Sequence, residues 1–73
     1  MKKLSVAQAK QVLNTVLEIP QDWKIIKTLS KAKIKQIIDD IGEAMYVLDM
    51  AGLKQEADQL ANLEGIYLDA YLS

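Results

Sequence analysis

The sequence predicts a small all-α bundle, and three observations carry that reading. Apolar residues recur at three- and four-residue spacing along most of the chain. Ser, Asp, Pro and Gly fall where helices should start and stop. The loops between these segments are short, so three main helices (about 5–19, 31–51 and 54–72) and one short helix (about 22–28), packed as antiparallel neighbours, are expected.

The first helix opens at Ser5, where Ser5-Val6-Ala7-Gln8 fits a capping box. Val6, Ala9, Val12, Leu13, Val16, Leu17 and Ile19 then fall on one stripe. The helix must end near Ile19, because the residue before Pro20 is pushed out of the α region. Pro20-Gln21-Asp22 reads as a turn, with Asp22 capping a short helix that carries Trp23 and Ile26, and Leu29 at the same spacing just beyond it. A single turn is marginal in isolation and needs packing to persist.

Ser30 caps the longest helix. Ile34, Ile38, Ile41, Met45 and Leu48 step by four and three, and Ile37, Ala44 and Ala51 widen the seam. Gly52 sits where a left-handed C-terminal cap belongs, with Leu53 placed for its apolar contact. On the last helix Leu53, Ala57, Leu60, Tyr67, Leu68 and Tyr71 are expected to face inward. The short connections make neighbouring helices antiparallel.

Seventy-three residues suit one domain, 1–73, and a core of this size supplies only about 3–5 kcal/mol. Without Cys a disulfide is excluded, and without Cys or His so is an ordinary structural zinc. Oligomerisation is the staple that remains, so a homodimer or a tightly held partner is expected. No apolar run reaches the ~18 residues of a membrane span. The start Met1-Lys2-Lys3-Leu4 mimics a signal peptide, but Gln8, Lys10, Gln11 and Asn14 interrupt the apolar stretch, so a cytoplasmic protein is expected.

Catalytic chemistry is not visible. Ser/His and Cys/His pairs cannot exist here, and the three glycines form no phosphate cradle. The acids do not follow calcium-loop spacing, and a di-iron bundle would need His. The expectation is a non-enzymatic protein with no cofactor, no metal and no catalytic residue.

Four features could carry a binding function instead. Opposite the core seam of the long helix, roughly 120–180° around, lie Asp39, Glu43, Tyr46 and Met50, with Val47 beside them. Aromatic and Met side chains supply contact area and acids select a basic partner, so this face is the candidate partner-binding surface. A solvated face or burial against a sister subunit would produce the same pattern. Glu64 projects into the apolar stripe of the last helix and is a candidate buried carboxylate, which would need a partner or would titrate upward.

The remaining two features concern charge. Residues 1–36 hold eight Lys and two acids, whereas residues 37–73 hold one Lys and eight acids. Lys24, Lys27, Lys31 and Lys35, with Trp23, form a candidate basic patch for nucleic acid. However, Lys33 projects away from Lys35, and Arg, the best phosphate- and base-reading side chain, is absent. The turn Val47–Leu53 resembles a helix-turn-helix turn, but the helix after it begins Lys54-Gln55-Glu56 and carries Asp58, which repels DNA. Conversely, Asp39, Asp40, Glu43, Asp49, Glu56, Asp58 and Asp69 could imitate nucleic acid, as inhibitors of phage or mobile-element type do, although the Lys-rich half dampens the long-range field. The expected function is a protein-interaction module, a small regulator or inhibitor that binds a partner protein, itself, or both.

Overall fold

The computed structural model describes residues 4–19 and 22–72. It is an all-α bundle of four helices: α1 (Val6–Glu18), α2 (Trp23–Ile26), α3 (Lys31–Met50) and α4 (Lys54–Leu72). The expected turn residues Pro20 and Gln21 lie outside the described residues.

The helix ends are set by local chemistry. At α1 the Gln8 amide donates to Ser5 Oγ (3.1 Å) and the Ser5 amide donates to Gln8 Oε1 (2.9 Å), closing the capping box. Ile19 is extended, as a residue before proline should be. Asp22 accepts from the Lys24 amide (2.9 Å), and Ser30 accepts from the Lys33 amide (3.1 Å). α3 ends in a Schellman motif: the Leu53 amide donates to the Leu48 carbonyl and the Gly52 amide to the Asp49 carbonyl. Gly52 takes φ +82°, which costs an L side chain strain and glycine almost nothing.

α3 is the central element. It packs along α4 and along α1, while α1 and α4 touch more lightly and α2 rests on α4. The three-residue connection makes α3 and α4 antiparallel neighbours. One core joins Ala9, Leu13 and Val16 of α1, Ile26 of α2, Ile34, Ile41 and Leu48 of α3, and Leu60, Leu63 and Tyr67 of α4.

The inward faces are rotated relative to the sequence expectation. On α3 Ile37 and Ala44 are buried while Ile38 and Met45 are half-buried, so the seam is centred nearer α1; Ala51 is an exposed cap residue. On α4, Leu63 and Ala70 occupy the core and Leu68 is exposed, so the expected inward position of Leu68 is corrected. Val6 and Leu17 of α1 are likewise on the surface. With Leu63 turned inward Glu64 is only half-buried, and no charged side chain is fully buried among the described residues. The expected buried carboxylate is therefore not formed, because the rotation that admits Leu63 lets Glu64 reach water.

Candidate interaction surface

The outer face of α3 is positioned by its inner one. Burial of Ile34, Ile41 and Leu48 fixes the rotation of the helix, so residues half a turn away must face outward. Asp39 is exposed, and the large side chains of Tyr46 (63%) and Met50 (71%) are among the most exposed apolar groups described. Glu43 is half-exposed. Val47, expected to flank the face, packs partly against the core and contributes little surface.

The structure adds residues that a single-helix projection does not bring in. Tyr46 lines an open groove of about 350 Å³ between α3 and α4, with Gly42, Met45 and Asp49 on one wall and Ala57, Asp58 and Ala61 on the other. Small side chains at Gly42, Ala57 and Ala61 make the floor, and Asp49 and Asp58 are exposed acids beside it. The missed signal was pairwise. Only the antiparallel packing of α3 on α4 brings Asp58 and Ala61 beside Tyr46. A second groove, about 310 Å³, runs between α1 and α3 over Val12, Val16, Ile19 and Ile37, with Lys33 at its edge.

Part of the charge asymmetry of the sequence becomes spatial, with Lys54 at the acidic end and Asp69 toward the basic one as exceptions. Because α4 runs back along α3, Asp49, Glu56 and Asp58 gather near the α3–α4 turn. Lys31 and Lys35 sit at the other end of α3, where α2 brings Lys24 and Lys27. α3 has no acid in its first turn and no base in its last. Its charges therefore oppose its own macrodipole, an arrangement that costs a helix about 0.3–1 kcal/mol per charge in a terminal turn. The one ion pair described, Lys54 Nζ to Asp49 Oδ1 at 3.5 Å, is exposed and weakly stabilising.

At the basic end two lysines lie over aromatic rings. Lys27 Nζ is 4.5 Å from the centre of the Trp23 ring, and Lys31 Nζ is 5.7 Å from that of Tyr71. Lys27 thus covers a ring face that a nucleobase would need for stacking. Tyr67 is fully buried and, among the described residues, its hydroxyl has no hydrogen-bond partner; burial pushes its pKa above the usual 10.0.

Among the described residues no group of three or more acids could hold a metal ion, and no helix is long and apolar enough to cross a membrane. Comparison with known protein families, curated proteins and solved structures yields no match.

Proposed function

We propose that this protein is a non-enzymatic interaction module that docks a partner protein on the outer face of α3, as a small cytoplasmic regulator or inhibitor. The observation that carries the reading is the pairing of Tyr46 and Met50, 63% and 71% exposed, on one face with the acids Asp39 and Glu43, where Tyr46 and Asp49 also line a groove. Exposed single apolar residues are ordinary, but two large ones on one face, one of them lining a groove, form the pattern of interface anchors inside a polar rim. The acids favour a partner that presents lysine or arginine.

Replacement of both anchors (Tyr46→Ser with Met50→Ser) tests it. The double variant should lose the partner captured from native lysate, while its unfolding free energy in urea stays within about 0.5 kcal/mol of the parent's, because neither side chain belongs to the core. Undiminished capture by the double variant sinks the reading.

A further inference from the structure

We infer that the occupant of this face is a second copy of the chain, paired antiparallel about a two-fold axis that passes near Gly42. The inference rests on the docking reading above and names its partner. Lys35, Asp39, Gly42, Tyr46 and Asp49 step by four and three along α3, a second heptad seam that the core does not use. Beside it on α4 runs a matching outer row, Asp58, Ala61, Gly65, Leu68 and Leu72, with Leu68 38% and Leu72 76% exposed.

The two rows form one face with a small-residue centre and two unlike ends. One end carries Tyr46 and Asp49, and the other carries Lys35 and Leu68. Lys35 and Asp49 each lie seven residues from Gly42, one before it and one after. Turning a second copy end over end about Gly42 sets Lys35 of each chain opposite Asp49 of the other. It also brings Leu68 of the second copy toward Tyr46. An isologous contact of this kind is closed and self-complementary.

Two observations favour a copy of the chain over an unrelated basic partner. The first is charge: an antiparallel copy sets its Lys35 beside Asp49 at both ends of the contact, where the described partner of Asp49 is the exposed Lys54, 3.5 Å away in a weakly stabilising pair. Gly42 is the second. Glycine inside a helix is destabilising relative to alanine, and the monomer does not require it. An added Cβ would meet only Glu64 Oε2, at an ordinary 3.8 Å. A second α3 crossing there would use the missing side chain to bring the backbones close.

Charge reversal distinguishes this arrangement from any other. Lys35→Glu places two acids opposite Asp49 and its symmetry mate, and Asp49→Lys places lysines opposite Lys35. Each variant alone should associate at least about tenfold more weakly than the parent. Mixed in equal amounts, the two variants should recover association, because each then meets the opposite charge at both contacts. Both substitutions are at exposed positions, and Asp49→Lys gives up only the exposed pair with Lys54, so weaker association without loss of helicity is not explained by failure to fold. Sedimentation equilibrium over a concentration series reads the masses, and circular dichroism verifies helicity. A parent chain that stays monomeric at millimolar concentration, single variants that pair as the parent does, or a mixture without recovery each overturns the inference. If the parent is monomeric but capture is still lost with Tyr46→Ser and Met50→Ser, self-pairing fails while the docking reading stands. If capture is also unaffected, both fail.

Discussion

Ile34, Ile41 and Leu48 on the inner face of α3 are at most 2% exposed, whereas Tyr46 and Met50 on its outer face stand 63% and 71% in solvent. Both faces repeat at heptad-like spacing on the same 20-residue helix. The difference between them is therefore not periodicity. The inner seam is uniformly aliphatic, so it loses nothing by complete dehydration and fixes the rotation of the helix. The outer seam mixes Tyr and Met with Lys, Asp and Gly, so burial by the same small bundle would strand its charges. One face is permanently dry, and the other is the one proposed above to be covered by a second copy.

Breaking the inner face should produce the largest effect. Ile41→Ala removes a fully buried side chain at the centre of the longest helix, and such truncations cost about 2–5 kcal/mol. For a core of this size, that leaves the variant largely unfolded at room temperature by circular dichroism. The outer-face variants Tyr46→Ser and Met50→Ser should keep the full helical signal under the same conditions.

An intermediate effect, of opposite sign, is expected where the core breaks its own rule. The Tyr67 hydroxyl is buried without a partner, and an unsatisfied buried polar group costs about 1–3 kcal/mol. Tyr67→Phe should therefore raise stability by about 1 kcal/mol. The pH dependence sharpens the test. Because the folded pKa lies above the usual 10.0, this group's contribution is intact below pH 10.0 and declines as the pH rises toward and through the folded pKa. Urea titrations at neutral and strongly alkaline pH should show a steeper alkaline loss for the parent than for Tyr67→Phe. Equal slopes would mean that the folded pKa of Tyr67 is not raised and that its hydroxyl reaches water.

The smallest effect lies on the outer face. Lys35→Glu, measured in dilute solution where association does not contribute, should leave the isolated fold within a few tenths of a kcal/mol of the parent, because position 35 lies one residue past the first turn of α3 and the new acid has Lys31 on one side and Asp39 on the other. Unchanged monomer stability together with a loss of pairing would identify Lys35 as a residue kept for association. A loss of monomer stability would show that the charge order of α3 serves the fold itself.

The candidate surface was only partly legible in the chain. Asp39, Tyr46 and Met50 could be placed outward because α3 is long and strongly periodic. Val47 could not be separated from them, since a shift of the core seam toward Ile37 and Ala44 was enough to draw it inward. Asp58 and Ala61 were invisible as members of the site, because membership depends on how α4 lies against α3. Glu64 and Leu68 were misplaced for a related reason. The leucines of α4 are spread around the helix, and its sequence favours no single face strongly.

The sequence by itself determined the helices and their ends. Caps at Ser5, Asp22 and Ser30, the extended residue before Pro20 and the left-handed Gly52 are satisfied by hydrogen bonds and torsions within a few residues, so a linear pattern suffices to find them. Tertiary structure decided the rotation of α4, the exposure of Glu64 and Leu68, and the groove shared by Tyr46 and Asp58. Those depend on which of several near-equivalent apolar faces packs best against α3. That choice is made by shape complementarity between helices, which no single helix encodes.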